Sequence, residues 1–267
     1  MRVAMATALI LLLDSIYLPL IVHDYAAPSG KKAAAGCTCD ELALVGATAT
    51  YWWSPYGQAC GDGRMAYPMI KYPSAKQRTL AGPVAEQTGY LLMFNEPDLE
   101  RIPLDKTLTT YREMSALSTR LVLSTGSHLD AEQSWARSLY DSYSQRYGEP
   151  PRIDALAAHC YFTPDSVGDC MAHVRNVIAL ARRWGATEVW VTEFGCPHNP
   201  DYSLNQCIDA TARFVAWMER QDIITRYFFY ECSHDPCYDG ARWSSLLWRC
   251  EEGPRLTEWG RWYRSLK

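Results

Sequence analysis

The feature that most constrains the fold is a repeated alternation of short apolar segments with helical patterns. Each segment has the length and the turn-forming boundaries of a buried strand. Over Asp165–Trp184 apolar residues recur at helical spacing and Gly185 follows, as at a helix end, and Leu204–Arg220 has a similar pattern. The predicted strands are Lys32–Cys37, Ala47–Trp53, Met65–Ile70, Tyr90–Phe94, Leu121–Thr125, Ala155–Tyr161, Glu188–Thr192 and Arg226–Tyr230. This rhythm predicts an α/β fold, a (β/α)8 TIM barrel.

The domain organisation predicted from the sequence is one barrel after an N-terminal leader. The chain has 267 residues, a length that one barrel can fill, and no long low-complexity linker follows Pro28. Met1-Arg2 and an apolar run to Leu13 are typical of a secretory signal, and Asp14 makes a membrane span unfavourable. We therefore predict a signal peptide over residues 1–27 and a single domain over residues 28–267. A retained N-terminal anchor at the cell surface is the alternative.

Cysteine content and charge indicate the compartment and exclude some partners. Ten cysteines favour disulfides and an oxidising, extracellular location, although the sequence leaves their pairing open. Zinc fits less well, because Cys37 and Cys39 are too close for the usual ligand spacing and Cys232 and Cys237 have no matching second pair. A net charge of −4 argues against nucleic acid or an anionic membrane as a partner.

Two of the predicted strands end in a glutamate that is followed by a turn. Glu96 lies in Asn-Glu-Pro-Asp, and Glu193 lies in Thr-Glu-Phe-Gly. In a (β/α)8 barrel the ends of the strands meet at the face that carries the active site. Charged carboxylates are seldom buried without a partner, so this pair favours catalysis over a merely solvated rim. Two facing carboxylates are what glycoside hydrolysis needs, since one protonates the leaving oxygen and the other attacks the sugar or activates water.

Other polar and aromatic side chains lie at the same predicted strand ends. They include Trp52, Trp53, His159, Tyr161 and Tyr230. The chain has ten tryptophans and seventeen tyrosines, which suit either core packing or a groove that stacks on sugar rings. The count alone does not separate these two interpretations.

The order of these motifs resembles glycoside hydrolase family 128, a family of (β/α)8 barrels that act on β-1,3-glucans. The resemblance extends from about Lys31 to the end of the sequence and includes the closing segment from Leu246 to Gly260. The motifs that carry it are Tyr51-Trp52-Trp53-Ser54-Pro55, Tyr67-Pro68-Met69, Phe94-Asn95-Glu96-Pro97-Asp98, His159-Cys160-Tyr161 and Trp190-Val191-Thr192-Glu193-Phe194-Gly195.

The resemblance implies a secreted, monomeric endo-β-1,3-glucanase that binds β-glucan polysaccharide or oligosaccharide and needs no metal and no organic cofactor. Glu96 would be the general acid/base and Glu193 the nucleophile of a retaining mechanism. Asn95 would bind the sugar 2-hydroxyl, and His159 and Tyr161 would hydrogen-bond Glu193. The implied substrate-binding residues are Asn95, Tyr51, Trp52, Trp53, His159, Tyr161 and Tyr230.

Two positions depart from the family pattern. Trp52 stands where the family usually has asparagine, and Gly126-Ser127-His128 replaces an expected Gly-Ser-Pro. These changes concern the choice of substrate more than the reaction. Two alternatives stay open: another β-glycanase on the same barrel, and a β-1,3-glucan-binding surface protein with little or no turnover.

Overall fold

The computed structural model describes residues 30–126, 134–197, 199–234 and 245–266, and their main feature is a curled parallel sheet. Seven strands pair in the order β1-β10-β9-β8-β7-β6-β5, and every pair is parallel. The strands are β1 (Lys32–Ala34), β2 (Ala49–Tyr51), β3 (Gln58–Ala59), β4 (Met65–Tyr67), β5 (Met69–Ile70), β6 (Tyr90–Met93), β7 (Arg120–Ser124), β8 (Ala155–Tyr161), β9 (Glu188–Gly195), β10 (Ile224–Phe229), β11 (Ser233–His234), β12 (Leu247–Cys250) and β13 (Gly253–Leu256).

Strands β2 and β4 complete the ring between the two edges of this sheet. Strand β2 pairs with β4 in parallel, and the Gly36 N–H donates to the Tyr51 carbonyl at 2.9 Å beside β1. Strands β4 and β5 are separated by Pro68 alone, because proline cannot donate a hydrogen bond to a neighbouring strand. Counting β4 and β5 as one strand gives eight parallel positions, which confirms the predicted (β/α)8 barrel as a single domain.

Helices between the strands cover the outside of the sheet. In the described residues they are α1 (Cys39–Val45), α2 (Ala75–Thr88), α3 (Leu104–Met114), α4 (Trp135–Tyr147), α5 (Val167–Trp184), α6 (Leu204–Glu219) and α7 (Glu258–Ser265). Helix α5 buries the predicted stripe, including Val174, Val177 and Ile178, and ends at Gly185 with a φ of 76°. That left-handed conformation suits glycine, which has no Cβ. Helix α6 begins at Ser203, whose hydroxyl accepts from the Gln206 N–H.

The core has two layers, one inside the barrel and one between the sheet and the helices. The inner layer contains small side chains together with Tyr51, Tyr67, Trp190 and Phe228. The outer layer joins the helices to the opposite face of each strand. Because both faces of the sheet are covered, the strands form nearly continuous apolar runs, and all eight residues of β9 are buried.

Disulfide bonds join segments at the C-terminal ends of the barrel strands to each other and to neighbouring helices. The described pairs are Cys37–Cys232, Cys39–Cys60, Cys160–Cys170 and Cys196–Cys207. The prediction of disulfides is therefore confirmed, and the described residues supply four of the pairings that the sequence left open. Among the described helices, none combines the length and apolar character that crossing a bilayer requires. The predicted leader over residues 1–27 lies outside the described residues and stays a prediction.

Candidate active site

Glu193 is buried at the mouth of the barrel and accepts hydrogen bonds from three aromatic side chains. Its carboxylate is reached by the Tyr51 hydroxyl at 3.1 Å and the Trp53 indole N–H at 2.9 Å, and the Tyr161 hydroxyl donates to its second oxygen. Burial, and next the charge of Glu193, raise the pKa of both phenols, so they remain protonated donors. Donors on both of its oxygens therefore hold the Glu193 carboxylate in one orientation.

A β-bulge turns Glu193 into the barrel. Side chains alternate between the two faces of a strand, and Trp190 belongs to the inner layer whereas Val191 belongs to the outer one. Regular alternation would leave Glu193 facing the helices. The pairing of β8 with β9 instead shifts between Ala158 and His159, which leaves Thr192 as the extra residue and pairs His159 with Glu193. Both side chains consequently reach the mouth of the barrel.

Glu96 is presented by a tight turn immediately after β6. Phe94 and Glu96 have φ values of 68° and 38°, a left-handed region that is unusual for residues other than glycine. The Phe94 ring is buried in the outer layer, where it packs against Trp135 with ring centres 5.6 Å apart. Packing of the Phe94 ring therefore holds the turn in place, and the Glu96 side chain lies at the mouth of the barrel. About a quarter of the Glu96 side chain is exposed.

His159 lies between the two glutamates. Its Nδ1 is 3.0 Å from Oε1 of Glu96, and its Nε2 is 3.6 Å from Oε1 of Glu193. Burial by itself lowers the pKa of His159, but the charge of Glu193 and the hydrogen bond to Glu96 outweigh it, so the pKa is raised. Asp98 adds to this effect; it is a neighbour that we did not single out from the sequence, although it belongs to the Asn-Glu-Pro-Asp motif.

The two carboxylates are close to each other. One ligand atom from each of Glu96, His159 and Glu193 can be chosen so that all three lie within 4.8 Å of one another. Such a set could also bind a cation. In this structure His159 hydrogen-bonds Glu96, and Glu193 accepts from Trp53 and Tyr161. Hydrogen bonds of this kind suit groups that transfer protons.

Asn95, the residue before Glu96, is buried. Its side-chain amide oxygen has no hydrogen-bond partner among the described residues, and only 6% of the residue is exposed. A buried acceptor without a partner costs about 1–3 kcal/mol, so this oxygen can accept a hydrogen bond from another molecule in the site.

An aromatic wall continues from Glu193 along the mouth. Tyr230 makes edge-to-face contacts with Trp53 at 5.8 Å and with Tyr161 at 5.4 Å between ring centres. The Trp52 side chain does not join this wall. Its indole N–H donates to the Cys37 carbonyl at 3.0 Å, and the Arg249 guanidinium lies over its ring at 5.8 Å.

The structure therefore brings together all but one of the residues predicted for the site. Glu96, His159 and Glu193 form its centre, Asn95 is buried next to Glu96 in the chain, and the remaining aromatics form a wall. Trp52 lines a neighbouring cavity instead. Ser127 and His128 lie outside the described residues. Glu231, a further carboxylate after the last barrel strand, is half-buried and accepts a hydrogen bond from Ser245 at 3.4 Å.

Comparisons with known proteins agree with the barrel fold. The family model described as glycosyl hydrolase catalytic core matches residues 46–263, and no curated protein matches the sequence significantly. Among solved structures, a family 128 subgroup I endo-β-1,3-glucanase from Amycolatopsis mediterranei is 20% identical, with 89% of this chain and 100% of that one covered and a TM-score of 0.70.

Two further structures of family 128 enzymes have similar TM-scores. A subgroup III curdlan-specific exo-β-1,3-glucanase from Blastomyces gilchristii is 21% identical over 90% of this chain and 100% of that one, with a TM-score of 0.68. A subgroup VI exo-β-1,3-glucanase from Aureobasidium namibiae is 16% identical over 88% and 96%, with a TM-score of 0.66. At these identities the likeness establishes the fold.

Proposed function

The chain belongs to the glycosyl hydrolase catalytic core family, and from this membership we propose that it hydrolyses β-1,3-glucan with retention of anomeric configuration. The observation that carries the proposal is the pair Glu96 and Glu193, which offer carboxylate oxygens within 4.8 Å of each other. Carboxyl groups about 5–5.5 Å apart are typical of retaining glycosidases, whereas inverting enzymes keep them about 6.5–9.5 Å apart to admit a water molecule.

In the proposed reaction Glu193 is the nucleophile. Hydrogen bonds from Tyr51, Trp53 and Tyr161 hold its carboxylate in one orientation, from which an oxygen can attack the anomeric carbon. Glu96 is more exposed than Glu193, and His159 is its hydrogen-bond partner among the described residues. It gives its proton to the departing oxygen. It then removes a proton from the water that cleaves the glycosyl–enzyme bond.

Asn95 and the aromatic wall position the sugar in this proposal. The unpartnered amide oxygen of Asn95 would accept a hydrogen bond from the 2-hydroxyl of the sugar bonded to Glu193, a contact that strengthens in the transition state. Trp53, Tyr161 and Tyr230 would contact the apolar faces of the sugar rings.

The linkage is taken from the structural neighbours, and the mode of action from the exposure of the site. The Amycolatopsis enzyme was crystallised with laminaritriose and laminaribiose, which supports a β-1,3-linked substrate. Its relatives include both endo and exo enzymes. We propose endo action, because Tyr161 beside Glu193 is 40% exposed and so lines a part of the site that is open to solvent. Four disulfides among the described residues support secretion.

The reaction is tested by mass spectrometry of the products from laminarin, in parallel with cellulose and mixed-linkage glucan. We expect short β-1,3-linked oligosaccharides of several lengths at early times and none with Glu193→Gln. A 2-deoxy-2-fluoro glycoside with a good leaving group should label Glu193 covalently, since a retaining enzyme forms a glycosyl ester. Binding of laminarin without any product would favour the glucan-binding protein instead, and products of inverted configuration would exclude the retaining mechanism.

A further inference from the structure

A cavity of about 570 Å³ adjoins the active site on the side of β1 and β2. Its lining is mainly apolar and includes Trp52, Trp53 and Tyr56, with the polar groups of Ser54 and Gln58 between them. Concave, mostly apolar sites with a few polar groups are typical of ligand-binding pockets. Tyr56 is 62% exposed, a high value for so large an aromatic side chain.

The walls of this cavity are held in place without a ligand. Two of the lining residues, Cys37 and Cys39, are held by disulfides to Cys232 and Cys60. Trp52 is fixed by its hydrogen bond to Cys37 and by Arg249 over its ring. Arg249 is in turn bound by both carboxylate oxygens of the buried Glu41, at 2.8 and 3.1 Å. A rigid aromatic surface loses little conformational entropy when a ligand binds.

Trp53 connects the cavity with the reacting groups. It lines the cavity, and its indole N–H donates to Glu193 at 2.9 Å. Glu96 contacts His159 instead. In the proposed mechanism the nucleophile bonds to the sugar that stays on the enzyme, and the proton donor faces the sugar that leaves. The cavity therefore lies on the side of the retained sugar.

We propose that this cavity is a further sugar subsite, which binds a β-1,3-linked glucosyl unit of the retained part of the chain, against Trp52 and Tyr56. The proposal rests on the proposed function, because that function assigns Glu193 as the nucleophile. It also gives a role to Trp52, the residue that stands where the resembled family has asparagine. The subsite makes longer oligosaccharides better substrates and decides which bond is cleaved.

The test compares substrates of different length. Values of kcat/KM are measured for laminaritriose and laminarihexaose with the wild type, Trp52→Ala and Tyr56→Ala. We expect Trp52→Ala to lower kcat/KM on the hexaose by about 10-fold relative to the loss on the triose, which corresponds to about 1.4 kcal/mol. Tyr56→Ala should act in the same direction, and because the Tyr56 side chain is largely exposed its removal leaves the packing of the core intact.

A matched control is Trp184→Ala. Trp184 is another half-buried tryptophan, stacked on Tyr140 at 4.4 Å at the end of α5, on the barrel face opposite the strand ends. It should leave the ratio of the two kcat/KM values unchanged. Equal losses on both oligosaccharides, or no loss in either cavity variant, would overturn the subsite.

A binding measurement separates this proposal from the hydrolase proposal. Calorimetry with the Glu96→Gln variant gives the affinity for laminarihexaose with and without Trp52→Ala. If the affinity for laminarihexaose depends on Trp52 but the wild type cleaves no glucan, the subsite is supported and the hydrolase proposal is contradicted. If the wild type cleaves glucan but the affinity does not depend on Trp52, the hydrolase proposal is supported and the subsite is contradicted. If the wild type does not cleave glucan and the variant does not bind the hexaose, both proposals are overturned.

Discussion

The disulfide Cys37–Cys232 should stabilise the barrel more than the other described disulfides do. It joins the end of the first barrel strand to the segment after the last one and closes a loop of 195 residues, whereas Cys160–Cys170 closes one of 10. In the loop-entropy model the stabilisation grows with the logarithm of loop length and is about 5.3 kcal/mol for the first and about 2.7 kcal/mol for the second. The difference, 1.5RT ln(195/10), is about 2.6 kcal/mol.

The two disulfides form a matched pair for this comparison. All four cysteines are at most 2% exposed, so replacing each pair by alanine removes similar buried volume. The free energy of unfolding is measured by denaturant titration for Cys37→Ala/Cys232→Ala and for Cys160→Ala/Cys170→Ala, under non-reducing conditions. We expect the first double variant to lose about 2.6 kcal/mol more than the second. Equal losses, or a larger loss for the short loop, would refute the argument from chain entropy.

Two further predictions concern the site. His159 has a raised pKa, so its contribution to stability is complete below about pH 6.5 and is lost as the pH rises through its native pKa; the free energy of unfolding should fall over that range. Glu193→Gln removes the charge that raises this pKa, and NMR titration should then give a lower value for His159. Gly126→Ala should lower the free energy of unfolding by about 1–3 kcal/mol, because φ at this position is +95° and the new Cβ would lie 2.9 Å from an Asp98 oxygen. Gly168→Ala is the control, because the space around Gly168 is open, and thermal unfolding should show it to be neutral or stabilising.

Each of these predictions has a result that would contradict it. If His159→Gln leaves the pH dependence of unfolding as steep as in the wild type, the histidine is not its source. If Gly126→Ala is no less stable than Gly168→Ala, the turn at the end of β7 does not need the left-handed conformation.

The number and order of the barrel strands were determined by the sequence alone. Each strand is a local apolar run between turn residues, and each helix has its own periodicity, so neither depends on distant contacts. The glutamates could be found for the same reason, since Asn95-Glu96-Pro97 and Thr192-Glu193-Phe194 interrupt such runs with carboxylates. The predicted bounds differ from the observed ones by a few residues at most; β9, for example, continues through Glu193 to Gly195.

Only the tertiary structure decided which way the critical side chains point. Strict alternation along β9 would direct Glu193 toward the helices, and the bulge at Thr192 arises from its pairing with β8. Trp52 and Trp53 are neighbours in sequence, yet one contacts Cys37 and the other Glu193. Register and the pairing of Cys37 with Cys232 join segments that are far apart along the chain. Local patterns carry no information about such contacts, because the energies that fix them appear only when the barrel closes.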